Sequence, residues 1–199
     1  MSNKREDARD ELKKRLIDAA EARIAEGGLR GLKAREVTAD AGCALGGLYN
    51  AFDDLDQLVL QVNSRTLARL GAALAASVPG DAGPKEAMAA LAQGYVAFAL
   101  GHQRLWLALF THRLPEGYEV PDWHVAQHAV LIAQIIRPLS QLRPDLGPEA
   151  LTLRAKTVFA AVHGVVHLAL TARFVGTPVD RLEAEVDALV TAMTRGLAG

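Results

Sequence analysis

The apolar residues of this chain recur at the three- and four-residue spacing of an α-helix along most of its length. Near the start, Leu12, Leu16, Ala20 and Ile24 are each four residues apart, which places them on one face of a helix. The strict alternation of apolar and polar residues that marks a strand is absent. The pattern therefore predicts an all-α protein of about nine helices.

Glycine and proline divide the pattern into segments. After a loose charged arm over residues 1–8, the predicted helices cover residues 9–26, 35–41, 44–52, 54–77, 85–100, 103–112, 123–142, 148–174 and 179–197. Gly27 and Gly28 end the first helix, and we expect Pro138 to bend the seventh. Because the fourth helix is long enough to link two domains, we expect one domain over residues 1–54 and a second over residues 55–199.

The two short helices predicted over residues 35–41 and 44–52 are joined by a tight turn. Gly42 stands where the first helix stops, and glycine adopts the left-handed conformation of that position without strain. Cys43 offers a small apolar contact just after it. The apolar residues of each helix share a face: Val37 and Ala41 in the first, Leu45, Leu48 and Phe52 in the second. This is a helix-turn-helix, whose second helix usually enters the DNA major groove.

The order of residues here resembles the DNA-binding domain of the tetracycline-repressor-like (TetR-like) family of bacterial transcription regulators. The matching elements are the turn Ala41-Gly42-Cys43, the LYxxF element of residues 48–52, and a following helix that starts at Leu55 and contains Leu58. The resemblance is specific over residues 12–62 and architectural beyond them. It implies a homodimer, an operator DNA, a helical second domain that binds a small-molecule effector and dimerises, and repression by the ligand-free form.

Three positions depart from the family pattern. Lys33 and Ala44 stand where the family usually has a capping Ser or Thr, and Leu55 stands where a basic residue commonly contacts phosphate. Losing a cap costs about 1 kcal/mol. Losing a phosphate contact lowers the affinity for DNA and its dependence on salt.

The candidate DNA-binding residues lie at the start of the first motif helix and in the second. Basic side chains would contact phosphates, Asn50 would hydrogen-bond a base edge, and the glycines would let the backbone approach the DNA. The alternatives are solvated side chains, a tyrosine that only packs the motif, and a frayed first turn. The candidates are Lys33, Arg35, Ala44, Leu45, Gly46, Gly47, Tyr49 and Asn50.

The net charge of the chain does not attract it to DNA. The net charge is −1, from 22 Lys and Arg against 23 Asp and Glu, so binding would depend on where the basic residues lie. One cysteine suits a reducing compartment, and the charged first residues do not form a signal peptide. The longest uncharged run, residues 157–172, is shorter than the roughly 20 residues of a membrane span. We therefore expect a cytoplasmic protein that does not interact with membranes.

Aromatic and histidine side chains in the second half are the candidates for an effector pocket. Helical proteins also use such residues as ordinary core, and the sequence leaves both interpretations open. The candidates are Tyr95, Phe98, Trp106, Phe110, Trp123, His124, His128, Phe159 and His163.

Two histidine pairs with a spacing of four, His124 with His128 and His163 with His167, would place their rings on one helix face. No HExxH motif, nucleophile signature or glycine-rich phosphate loop accompanies them. We therefore expect no metal, no cofactor and no enzyme activity. Two alternatives stay open: a helical metal-binding module or enzyme, and a helical sensor that lost DNA binding and acts through a protein partner. Cys43 as a redox switch is a further alternative.

The last two predicted helices are the candidates for dimerisation. The apolar run of residues 157–172 lies beside an apolar stripe on the final helix, and such helices can pair with their copies as a four-helix bundle. We expect Val166 and Leu189 in that interface. The alternative is a monomer in which the same residues form the core. The stripe consists of Leu182, Val186, Leu189, Val190 and Met193.

Overall fold

A computed structural model describes residues 2–172 and 174–197, and the side chains of residues 6–172 and 174–195. Its regular structure, over these residues, is helical throughout. The α-helices are α1 (Ser2–Gly27), α2 (Ala34–Asp40), α3 (Leu45–Ala51), α4 (Leu55–Ser77), α5 (Pro84–Gly101), α6 (Gln103–Thr111), α7 (Asp122–Leu142), α8 (Pro148–Leu170) and α9 (Leu182–Leu197). Short 3-10 turns cover Leu29–Gly31 and Val179–Arg181.

The all-α prediction is confirmed, and two of its boundaries are wrong. The predicted arm of residues 1–8 is helical from Ser2 onward, because the charged residues there continue the first helix. The predicted helix of residues 148–174 ends at Leu170, since Ala172 has a left-handed backbone with φ of 51°. Arg173, which that prediction includes, lies outside the described residues.

The chain divides into two compact units. The first comprises Met1–Leu67 and His102–Val120, and the second comprises Ala68–Gly101 and Pro121–Gly199. Helix α4 is therefore shared between them, and α6 belongs with the helix-turn-helix. The functional boundary predicted at residue 54 stays a prediction.

The core of the first unit forms where α1 packs against α2, α3 and α6. Leu16, Ala20 and Ile24 are each 0% exposed, which confirms the face predicted from their spacing. Leu48 of α3 and Leu105 of α6 join the same cluster. The burial of this apolar face fixes α2 and α3, which are too short to be stable helices alone.

The second unit is a bundle in which α5 packs against α9 and α7, and α8 packs against α7 and α9. Leu139, Leu151 and Ala155 form one of its core clusters. Helices α4 and α5 approach closely at Gly94, where an added Cβ would lie 2.8 Å from the Cβ of Ser77. Glycine is required there because any side chain would collide with α4.

Helix α8 is the single helix, among the residues searched, with the length and apolar composition to cross a membrane. One such helix is weak evidence for a span. In this bundle α8 packs on α5, α7 and α9.

The apolar stripe of α9 points into the same unit. Leu182 and Val186 are 0% exposed and Val190 is 2% exposed. Val166 of α8 is also 0% exposed, so the prediction that it lies in a dimer interface is wrong, because its side chain is already buried within one chain. The exposed surface of these helices includes small residues, among them Ala160, Ala184, Ala188 and Ala192, beside charged ones such as Lys156 and Asp187.

Candidate functional site

The turn of the helix-turn-helix has the predicted backbone. Gly42 has φ of 65°, and the Cys43 N–H donates to the Thr38 carbonyl at 2.9 Å. Arg15 of α1 donates from Nη1 to the Ala41 carbonyl at 2.8 Å. A guanidinium at a helix C-terminus satisfies a carbonyl that the helix leaves open and complements its dipole. Arg15 therefore positions the turn, a role that the local sequence pattern did not reveal.

Helix α3 divides into a buried face and an exposed face. Leu48 and Ala51 are buried, whereas Asn50 is exposed and Tyr49 is 54% exposed. Leu45, which was predicted on the same side of the helix as Leu48 and Phe52, is 36% exposed, whereas those two are buried. As a candidate DNA-binding residue, Leu45 therefore lies at the surface in the first turn of α3. Tyr49 and Asn50 are thus available to a partner on the side of α3 that faces away from the core.

The two glycines of α3 have different surroundings. An added Cβ at Gly46 would meet no atom within 4 Å, so this position leaves a free surface. At Gly47 the added Cβ would lie 3.3 Å from the Cys43 sulfur and 3.8 Å from Leu12. The open surface at Gly46 agrees with the prediction that the helix backbone can approach DNA there. At Gly47 a glycine is favoured because Cys43 and Leu12 pack close to it.

The two motif helices lack side-chain caps, as the sequence predicted. Neither Lys33 nor Ala44, the residues at the N-cap positions, makes a capping hydrogen bond. Helix α4 is capped by Asp54, whose Oδ1 accepts from the Gln57 N–H at 2.6 Å. Leu55 packs against the core. It stands where the family commonly has a basic residue that contacts phosphate.

An ion network fastens α1 to α2 beside the motif. Arg23 donates from Nε and Nη2 to Asp40 at 2.6 and 3.0 Å, and from Nη1 to Glu36 at 2.6 Å. The hydrogen bond from Arg23 holds the pKa of the Asp40 carboxyl below its usual range. Lys33 shares Glu36 through a contact of 3.1 Å, whereas Arg35 is exposed. Of the two predicted phosphate contacts, one is therefore already paired with a carboxylate.

The charges that follow α3 are acidic. Asp53, Asp54 and Asp56 begin the segment after the motif, and Asp56 Oδ1 lies 2.8 Å from Nε2 of His112, the residue that follows α6. Burial and these three carboxylates raise the pKa of Tyr118. Helix α3 itself has no charged residue. A surface of this kind attracts phosphate weakly, so binding would depend on Arg35, Lys33 and the basic residues of α1.

In the second unit, three of the effector candidates lie together. The Tyr95 hydroxyl and His163 Nδ1 are 2.8 Å apart, and Phe159 stacks on the His163 ring with centroids 5.5 Å apart. Burial, and secondarily the charge of His167, lowers the pKa of His163 to about 4. The imidazole is therefore neutral at neutral pH.

Tyr95 and Phe159 line a small apolar cavity of about 40 Å³, called here the inner cavity. It is enclosed by α4, α5, α7, α8 and α9. Its lining consists of Leu74, Met88, Leu91, Ala92, Tyr95, Leu131, Ile135, Val158, Phe159, Val162 and Val190.

The other effector candidates line neither cavity described here. Trp106 is 0% exposed in the first unit and packs on Phe110, with ring centroids 5.0 Å apart. Phe98 is buried on α5. Their part in ligand binding stays a prediction.

A second aromatic group lies at the start of α7. The rings of His124 and His128 are 4.8 Å apart, and Trp123 contacts His124 at 5.5 Å. Within the described residues no three His, Cys, Asp or Glu side chains come together as a metal site would need. In this structure the rings of His124 and His128 pack against each other, and His124 also packs against Trp123.

A larger cavity of about 350 Å³ opens beside the inner one, and it is called here the outer cavity. Its polar lining residues are Gln134, Arg137 and Gln141, all on α7. The sequence analysis missed it, because its walls come from a loop, two helix ends and a helix distant in sequence. Its lining consists of Ala75, Val78, Pro79, Gly80, Ala82, Pro84, Ala87, Leu91, Gln134, Arg137, Pro138 and Gln141.

Comparison with known proteins finds a family model that matches about half of the chain, and solved structures that share its fold. A family model described as the tetracyclin repressor-like C-terminal domain matches residues 88–193. No curated protein matches the chain.

Solved structures are similar over nearly the whole chain. A protein of unknown function from Rhodococcus sp. RHA1 is 28% identical, with a TM-score of 0.75 over 94% of this chain and 96% of that one. RolR, solved with resorcinol, is 23% identical, with a TM-score of 0.68 over 97% and 95%. FadR from Bacillus subtilis, solved with stearoyl-CoA, is 16% identical, with a TM-score of 0.69 over 88% and 96%. The last two likenesses show the fold.

Proposed function

This chain belongs to the tetracycline-repressor-like (TetR-like) family of transcriptional regulators, and we propose that it is a homodimeric repressor that leaves its operator DNA when a small molecule binds. Members of the family bind DNA and ligands, act as dimers and are typically not enzymes. The observation that carries the proposal is the exposed face of α3 on a fixed helix-turn-helix, in a chain whose other unit has a cavity of ligand size. We place its action in the cytoplasm, where operator DNA lies.

For DNA recognition, α3 lies in the major groove and its exposed side chains meet the bases. Asn50 reads a base edge, with adenine as the natural partner, and Tyr49 reaches phosphate or a base. The open surface at Gly46 lets the helix backbone approach the groove. Lys33 and Arg35 at the start of α2 contact phosphates and fix the register.

For ligand response, the effector binds within the second unit and favours one conformation of the dimer. The effector shifts the equilibrium away from the conformation that fits DNA, and the size of this shift is set by the difference between its affinities for the two conformations. RolR and FadR, which share the fold, were solved with small organic ligands, and this supports a ligand-binding role for the cavities.

The dimer uses the outer surface of α8 and α9. Position 164 on α8 is open, since an added Cβ at Gly164 would meet no atom within 4 Å. Gly164→Arg therefore leaves the fold of one chain intact while it places a charge in the interface. We expect light scattering to show a dimer for the wild type and a monomer for Gly164→Arg. A wild-type monomer at micromolar concentration contradicts the proposed assembly.

DNA binding is tested by selection from random duplexes at low salt, followed by titration of single variants. We expect a palindromic site with half-sites about one helical turn, or a multiple of it, apart. Asn50→Ala relaxes the preference at one base pair by about 1–3 kcal/mol. Lys33→Ala weakens all sequences alike, whereas the control Lys85→Ala, on α5 of the other unit, changes nothing.

A second candidate function is a helical sensor that acts through a protein partner. Three features favour it because they reduce attraction to phosphate: the uncharged α3, the acidic residues around the start of α4, and the apolar, partly buried Leu55. Selection that yields no enriched motif, with no discrimination between duplexes, would support this function over operator binding.

A further inference from the structure

The two cavities of the second unit share one wall residue, Leu91 of α5. We propose that they form one amphipathic site, which takes a small organic carboxylate with its apolar part in the inner cavity and its carboxylate at Arg137. The proposal rests on the proposed function and names the chemical class of its effector.

The inner cavity accepts apolar groups. Its lining side chains are aliphatic or aromatic, and the single hydroxyl among them, on Tyr95, is already hydrogen-bonded to His163. Tyr95 is 4% exposed, so that hydroxyl lies well away from solvent. A carboxylate placed here would lose its water without gaining a positive partner, which is costly. The charged end of a ligand must therefore lie elsewhere.

The outer cavity supplies the missing charge. Arg137 is the one charged residue among the described residues that line either cavity. A guanidinium binds a carboxylate through two parallel hydrogen bonds, which fixes the orientation of the ligand as well as its affinity. The exposure of Arg137 leaves its donors available.

Gln134 adds acceptors beside Arg137. Its Nε2 donates to the Gly71 carbonyl at 3.0 Å, while its Oε1 is buried without a hydrogen-bond partner. Its backbone carbonyl also lacks the usual helical donor, because the residue four positions on is Pro138, which has no N–H. A ligand hydroxyl beside the carboxylate would satisfy one of these oxygens.

Leu91 decides whether the two spaces are joined. Its side chain is 7% exposed and contributes to the walls of both cavities. A change of its rotamer opens the inner cavity toward Arg137 without moving a helix. The inner cavity, about 40 Å³, holds only a few non-hydrogen atoms, whereas the outer cavity is of the size of ordinary ligand sites. The site thus fits a short alkyl chain that ends in a carboxylate.

The experiment is a calorimetric titration of the full-length protein, without DNA, with acetate, butyrate, hexanoate and the uncharged 1-hexanol. We expect affinity to rise from acetate to hexanoate as the chain enters the inner cavity, and hexanoate to bind more tightly than 1-hexanol. Arg137→Gln weakens hexanoate about tenfold and leaves 1-hexanol unchanged, since one charge-assisted pair is lost. Arg195→Gln on α9, which lines neither cavity, is the matched control.

Leu91→Phe tests the junction, because the larger ring fills the space between the cavities. It weakens both hexanoate and 1-hexanol, and Ala92→Val, which fills the inner cavity from another wall, does the same. Absence of saturable hexanoate binding, or hexanoate binding that Arg137→Gln leaves unchanged, overturns the proposal. Carboxylate binding that does not release operator DNA overturns the proposed repressor mechanism and leaves this site standing.

Discussion

The two units of this protein differ in how completely their cores are filled. In the first unit, Leu16, Ile24 and Leu48 are fully buried in one cluster, and Arg15 and Arg23 fasten the ends of the motif helices. In the second unit, two cavities lie within the bundle and Leu91 borders both. Under the proposed function, the unit that binds DNA has to keep a fixed surface, and the unit that binds a small molecule has to provide space for it. The difference in packing agrees with this proposed division between the units.

The largest expected effect comes from one substitution made in each unit. Leu48→Ala, in the filled core, should lower the free energy of unfolding by about 3–5 kcal/mol, because it creates a cavity. Leu91→Ala should cost about 2 kcal/mol, because that side chain already borders empty space. Both replace a helical leucine, so helix propensity cancels in urea denaturation. Equal losses would contradict the contrast between the units.

Adding one methyl group at a glycine in each unit tests how closely the helices pack there. Gly94→Ala in the second unit should destabilise by about 1–3 kcal/mol, since the new Cβ would lie 2.8 Å from Ser77 Cβ. Gly46→Ala on α3 should stabilise by about 0.5–1 kcal/mol, because space is open and alanine favours a helix. Thermal denaturation measures both changes. A stabilising Gly94→Ala would show that α4 and α5 are not in close contact.

The pH dependence of stability tests the partly buried His163 of the second unit. Because the pKa of His163 falls to about 4 in the fold and is about 6.5 in the unfolded chain, the unfolded state binds more protons between these values. Stability is therefore complete above pH 6.5 and declines as the pH falls toward 4. His163→Phe should flatten this part of the melting-temperature profile, and His102→Gln, at an exposed histidine, should not.

The smallest expected effect concerns the exposed ion network of the first unit. The lowered pKa of Asp40 means that its contribution is present above the unfolded carboxyl pKa of about 4 and is lost as the pH falls through the folded value. Arg23→Gln should slightly lower the melting temperature at low salt and not at high salt. Arg143→Gln is the control, because the Arg143–Asp145 pair is local and does not connect two helices. If Arg23→Gln lowers the melting temperature equally at low and high salt, the apolar part of the Arg23 side chain stabilises the fold by packing rather than by charge.

The sequence by itself determined the helices and the motif, because these depend on residues close together in the chain. The four-residue spacing of Leu16, Ala20 and Ile24 gave the buried face, and Gly42 gave the turn with its left-handed backbone. The missing caps at Lys33 and Ala44 were also visible, since capping is a local hydrogen bond.

Only the tertiary structure decided which of several available surfaces each helix buries. Apolar spacing alone assigned Val166 to a dimer interface, and the packing of neighbouring helices buries it within one chain instead. Arg15 reaches Ala41 over 26 residues of sequence, and the outer cavity joins Arg137 to a loop more than fifty residues before it. Spacing fixes which side chains share a face of a helix. The partner of that face depends on contacts between distant segments, which no local pattern contains.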